Sequence, residues 1–142
     1  MFIANPESDN VAKSVFSKII DREIPAYIVA EDEHFIAFLD INPLSVGHVL
    51  VVPKLEVDYF FDLDDSSLSS IMTFSKRVAS AITKATTCKR VGVAVIGFEV
   101  PHAHIHLVPM NHMNDINFAN PKLKLSKDEF MDVTIKIAES FK

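Results

Sequence analysis

The chain has 142 residues, 49% of them hydrophobic and 23% charged, with a formal net charge of −5 and a mean hydropathy of +0.21. This composition excludes a disordered polymer, and the dispersed Lys and Arg, grouped only at Lys89-Arg90 and at Lys122, Lys124 and Lys127, argue against a nucleic acid polymer as partner. No apolar run reaches the roughly 18 residues that span a bilayer, and the single cysteine, Cys88, allows no intramolecular disulfide.

A chain of this length is expected to form one domain over residues 1–142 and to bury about 68 to 70% of its unfolded surface. The opening MFIANPESDN carries no basic region leading into an apolar stretch, so the expected location is cytoplasmic, with no membrane partner. Residues 1–13 are expected to be a flexible N-terminal extension.

Residues 14–23 place Val15, Phe16, Ile19 and Ile20 on one helical face before Ile24-Pro25 ends the turn. Residues 27–31 and 35–40 are β-rich and separated by Asp32-Glu33-His34, which predicts a hairpin. A third strand is expected over 48–53, introduced by Asn42, Pro43, Ser45 and Gly47. The period then changes: Leu68, Ile71, Met72, Val78, Ala79 and Ile82 predict a long helix over 64–86 with Asp64 or Asp65 as N-cap. Two further strands are expected at 90–96 and 102–108, joined by a short link over 97–101. A last helix, 126–141, opens on the capping-box pattern Ser126-x-x-Glu129. Strands this close in sequence leave no room for parallel crossovers, so the fold class is α+β with an antiparallel sheet.

The run PHAHIHLVPM holds half of the chain's six histidines at every second position. On a strand, His102, His104 and His106 would share one face at intervals of ~6.6 Å, while Ala103, Ile105 and Leu107 face the core. Three imidazoles in one row each need partners, which points to a site rather than to packing. Two chemistries fit: convergence on a metal ion, since neutral imidazole is a common ligand, or a nucleophilic histidine held by its neighbours. Spacing leaves both open.

The pattern His102-Ala103-His104-Ile105-His106-Leu107-Val108 resembles the His-φ-His-φ-His-φ-φ signature of the histidine triad (HIT) family of nucleotide hydrolases and transferases. SVFSKIIDREIP (14–25) is similar to the family's opening helix, AFLDINPLSVGHVLVVPK (37–54) to its ribose-binding strand, loop and third strand, and VPHAHIHLVP (100–109) to its last strand. The resemblance covers residues 14–110 and implies a five-stranded antiparallel sheet with helices packed on one face, in a homodimer. It implies a purine nucleotide-like ligand attacked at its α-phosphorus by His104, with a His102 carbonyl holding the tautomer of His104 and His106 contacting phosphate. Asp40 matches the acid that accepts hydrogen bonds from ribose hydroxyls, although a turn residue before Asn42-Pro43 would look the same. Val15, Phe16, Ile19, Phe38 and Ile41 match the base slot, His48 matches the histidine of the family's Gly-His segment beside the site, and Asn42, Gly97 and Glu99 are expected to bind substrate with them.

Two departures qualify the match. Some family members hold a structural zinc through Cys-x-x-Cys, a histidine after the third strand and the first triad histidine. Here those positions are Ser14, Ser17, Glu56 and His102, and hydroxyls replace thiolates poorly, so no metal and no required cofactor is expected. A divalent cation would enter only with a polyphosphate substrate. The second departure is GFEVP (97–101), where Phe98 and Glu99 replace a polar pair that meets the leaving group. The expected activity is hydrolysis of a nucleoside phosphoramidate; a dinucleoside polyphosphate hydrolase and a nucleotide-binding module with little turnover are the alternatives.

Overall fold

The computed structural model describes residues 13–142, so the extension expected over 1–13 lies, apart from Lys13, outside the described residues. Eight main elements follow in chain order: α1 (Val15–Ile20), β1 (Ile28–Glu31), β2 (Phe35–Leu39), β3 (Val49–Pro53), α2 (Asp65–Thr86), β4 (Arg90–Ala94), β5 (Ile105–Met110) and α3 (Lys127–Ser140). All strand pairings are antiparallel and the sheet order is β1-β2-β3-β5-β4. Among the described residues, no helix is long and apolar enough to cross a membrane.

The central strands β2 and β3 are buried at every position because both of their faces are covered. Phe35, Ala37, Leu39, Val49 and Val51 join Ile105 and Leu107 of β5 in one core against α2 and α3. Ile36, Phe38, Leu50 and Val52 point the other way and meet Phe16 and Ile19 of α1. The long helices therefore share one face, as expected, whereas the short α1 closes part of the opposite face. Each fully buried aliphatic or aromatic side chain contributes about 1.5 to 3 kcal/mol, so two covered faces stabilise the central strands from both sides.

Local chemistry sets the boundaries. Ser14 caps α1 by accepting from the Ser17 amide, Asp64 caps α2 by accepting from Ser67, and Ser126 with Glu129 closes a capping box on α3. The helix predicted over 14–23 stops at Ile20, because Arg22 turns to a φ of 62° and its amide reaches back to the Ile19 carbonyl. The long helix α2 buries one side: Ile71, Phe74, Val78, Ala81 and Ile82 face the core, and Met72 is its exposed large apolar side chain.

Gly47 delivers the chain into β3 at a φ of 95°, and a Cβ there would stand 2.7 Å from the Thr86 methyl at the end of α2. Gly47→Ala should therefore lower stability by about 1 to 3 kcal/mol through backbone strain and overlap. An unchanged midpoint in chemical denaturation at pH 7 would contradict that reading of the turn.

Candidate active site

The alternation of the histidine run survives in the structure, but the strand does not begin where the run does. Ala103, Ile105 and Leu107 lie in the core beneath the long helices, and β5 starts only at Ile105, so His102 and His104 sit in the approach to it. The link from β4 is accordingly residues 95–104 rather than 97–101. Backbone groups that would extend the ladder are used elsewhere: the His102 amide donates to Val100 O (2.8 Å) and the Ala103 amide to Val57 O (2.7 Å). The last registered pair is Ala94 with His106, and beyond it the two chains part to leave a groove.

Register places the neighbours of the run. Phe38 pairs with Leu50, and Leu50 with His106, so an apolar row on the α1 face leads directly to the third histidine. The Phe16 ring meets the Phe38 ring at 5.4 Å and the His104 ring at 5.0 Å, both edge to face.

Four imidazoles have their tautomers fixed by fixed neighbours. His102 Nε2 lies 2.8 Å from the Pro53 carbonyl and must donate, so its Nδ1 accepts from Ser14 Oγ at 2.7 Å. His104 Nδ1 donates to the His102 carbonyl at 2.7 Å, which leaves the lone pair on Nε2. His48 Nδ1 accepts the Leu44 amide at 3.0 Å, so its Nε2 carries the proton and donates to His106 Nδ1, also at 3.0 Å. His106 then holds its proton on Nε2, as a donor. The site thus has one ring nitrogen with an uncommitted lone pair, His104 Nε2, and one adjacent hydrogen-bond donor, His106 Nε2, set without any charged imidazole.

Burial keeps the rings neutral. Desolvation pushes His48 down to about 3 and His106 to about 4, with the neighbouring histidines adding to the effect. It also lowers His104 and His102, partly opposed by the carbonyls each ring donates to. Asp40 moves the other way, raised first by burial and further by the charge of Glu99, against the Asn42 amide that its Oδ1 accepts at 2.8 Å. Its Oδ2 is 3.6 Å from His48 Nε2.

Two cavities meet at this row. The larger, about 710 Å³, is lined by Val15, Phe16, Ile19, Phe38, Asp40, Ile41, Asn42, Glu99, His104 and His106, all of them residues anticipated from sequence. The smaller, about 540 Å³, adds His48 and Gly97 while sharing Asp40, Asn42, Glu99, His104 and His106. His102 lines neither cavity: it is fully buried behind His104 and acts through its carbonyl. Sequence reasoning missed Tyr27, Leu50, Val100, Lys127 and Met131 in the first cavity and Phe118 and Lys122 in the second, which is also lined by the Phe98 already singled out before the triad. Phe118, a lone aromatic in the polar stretch NFANP, was the available signal.

The positions where the resemblance puts a zinc do converge, but on each other. Ser17 Oγ donates to Glu56 Oε1 at 2.6 Å, the Ser14 amide donates to the same oxygen at 2.9 Å, and Ser14 Oγ is taken by His102. The hydrogen bond from Ser17, followed by the one from Ser14, holds the Glu56 carboxyl below its usual range. Neutral hydroxyls already committed to hydrogen bonds do not fit a structural zinc, and the quartet instead ties α1 to the triad. Asp40, His48 and His106 also bring ligand-type atoms within 4.8 Å of one another. Here too the donor set does not fit, because the Leu44 amide forces the His48 proton onto the nitrogen that would have to bind the ion.

Comparison with known proteins places this geometry in a family. A family profile described as HIT domain matches residues 21–113. An uncharacterized HIT-like protein of Borreliella burgdorferi is 33% identical over 132 residues, spanning 87% of this chain and 95% of that protein. An adenosine 5′-monophosphoramidase of Schizosaccharomyces pombe is 31% identical over 131 residues, covering 90% of this chain and 98% of the enzyme. The crystal structure of a HIT-like protein from Bartonella henselae superposes with a TM-score of 0.78 at 27% identity, over 91% of this chain and 97% of that one. Profile, relatives and superposed fold agree with the histidine row and its antiparallel sheet: the chain belongs to the HIT family.

Proposed function

We propose that the protein is a nucleotidyl hydrolase that cleaves a nucleoside phosphoramidate at the α-phosphorus. The observation that carries this reading is the His104 ring, whose Nδ1 is committed to the His102 carbonyl at 2.7 Å and whose Nε2 is left as nucleophile between two cavities. In the first step Nε2 bonds to phosphorus as the bond from phosphorus to the amine breaks, and the amine takes a proton from water in the open groove. His106 Nε2–H donates to a phosphoryl oxygen as charge builds. Water then attacks the same phosphorus, the bond to His104 breaks, a proton returns to solvent and the nucleoside monophosphate leaves. The apolar row from Phe16 to Leu50 receives the base, and the Asp40 carboxyl accepts the ribose hydroxyls. No metal takes part in these steps.

Likeness to an adenosine 5′-monophosphoramidase along most of the chain supports the same substrate class. Incubation with adenosine 5′-phosphoramidate should release AMP over many turnovers. Binding of the nucleotide without release would make the protein a binding module instead.

Glu99 supports the preference for an amine leaving group. It is exposed yet lines both cavities, and its charge reaches Asp40 and His104. An ionised carboxylate there repels a departing polyphosphate and attracts a departing amine. Glu99→Gln should raise kcat/KM for a dinucleoside polyphosphate relative to a phosphoramidate by about threefold or more. An equal ratio in both proteins would put Glu99 outside the chemistry.

The homodimer is part of the same reading. The strand β4 lies at one edge of the sheet, and Val93, Val95, Ile96 and Phe98 on or beside it are exposed, Phe98 to 92%. An open strand edge flanked by apolar side chains favours a second copy. Light scattering at micromolar concentration should give a dimer mass, and a single species of 15.9 kDa would refute it.

A further inference from the structure

The smaller cavity has a wall that the family profile does not reach. The profile ends at residue 113, whereas Phe118 and Lys122 come from the segment between β5 and α3. The Phe118 ring stands edge to face on His106 with centroids 4.8 Å apart and extends along the wall of the cavity. Lys122 Nζ donates to the Phe118 carbonyl at 2.6 Å and the Asn120 carbonyl at 3.1 Å, which fastens the turn and sets the ammonium at the edge of the cavity. Two carbonyls use two of its three donors, and among the described residues it forms no ion pair. Its charge nonetheless reaches the site, opposing in small part the rise of Asp40 and adding in small part to the fall of His48.

An ammonium without an ion-pair partner, at the edge of a cavity that shares His104 and His106, is a recognition group for whatever leaves from phosphorus. Glu99 lines the same cavity and favours an amine; Lys122 favours an anion. We propose that Phe118 and Lys122 form a leaving-group subsite that selects an amine bearing its own anionic group, a carboxylate or a phosphate. This inference rests on the reading of His104 as the nitrogen that receives the nucleotide phosphorus.

The test uses the adenosine 5′-phosphoramidates of glycine, glycinamide and phosphoethanolamine, which present a carboxylate, a neutral amide and a phosphate. Calorimetric titration into His104→Ala protein reads affinity without cleavage. With Lys122 present, the anionic compounds should bind about tenfold more tightly than the glycinamide compound. Lys122→Met should bring that ratio to about one and Lys122→Arg should restore most of it, while the larger loss identifies the carboxylate or the phosphate as the preferred anion. A ratio that Lys122→Met leaves unchanged, or that is already one with Lys122 present, overturns the subsite. Binding with the expected ratio but no AMP release by the protein with His104 intact would refute the hydrolase reading alone. Failure to bind any of the three refutes both.

Discussion

His104→Ala should reduce kcat/KM for a nucleoside phosphoramidate by about a thousandfold or more, ~4 kcal/mol in barrier. No other nitrogen can take its place: His102 has both ring atoms engaged and is fully buried, and His106 has its lone pair committed to His48. The substitution leaves the His102 carbonyl without its partner and removes the ring packed on Phe16, so the folded state should lose about 1 to 3 kcal/mol, far less than the change in barrier would need if folding alone were responsible. A near-native melting curve with activity within tenfold of wild type would exclude His104 as the nucleophile. The acid limb of kcat/KM should also lie below pH 6.5, because burial lowers His104 from that ordinary value and keeps it neutral as the pH falls. A limb at or above 6.5 would mean that the reacting ring is solvated.

Acid should destabilise the fold well before carboxylates titrate, and His48 is the principal cause. Its proton affinity is depressed in the folded chain to about 3 from 6.5, by burial first and by His106 and Lys122 next. A group of this kind gives its full contribution above pH 6.5 and loses it progressively down to about 3, because the unfolded chain binds the proton first. At pH 5 the loss from His48 alone is about 2 kcal/mol. His106, lowered for the same reason, changes stability in the same direction. Denaturation of wild-type protein at pH 7 and pH 5 should show the loss, and His48→Asn should show a smaller difference between the two. Equal pH dependence in both proteins would mean that His48 is reached by water.

Much of the fold was legible because its determinants are local or periodic. The β-rich runs 35–40 and 48–53, bounded by turn residues, identified strands whose two sets of side chains enter two clusters, and Asp64 and Ser126 cap the helices as their spacing implied. The end of α1 was not legible, since it depends on Arg22 adopting a left-handed conformation. The start of β5 was not either, since Val57 and Val100, outside the run, take the amides that a longer ladder would use.

The site divides in the same way. The residues of the row and the slot follow from a short motif and its flanks. The resemblance also implied that the His102 carbonyl holds the tautomer of His104, and the two groups lie 2.7 Å apart. The tautomers of His102, His48 and His106 did not follow, because they are set from the Pro53 carbonyl and the Leu44 amide, backbone groups that only the fold brings within 3.0 Å. Lys122 was hidden by company: beside Lys124 and Lys127 it looked like dispersed surface charge, and only the turn at 118–122 turns it toward the histidines.

The central claim is that His104 carries the nucleotide between the two displacements. Rapid acid-free quenching during turnover of adenosine 5′-phosphoramidate, followed by peptide mass spectrometry, tests it directly. The account predicts an adenylyl group on the peptide containing residues 102–106, placed by fragmentation on His104 and absent from His104→Ala. Sustained AMP release with no adduct at any time point, or with the adduct on another residue, would contradict it.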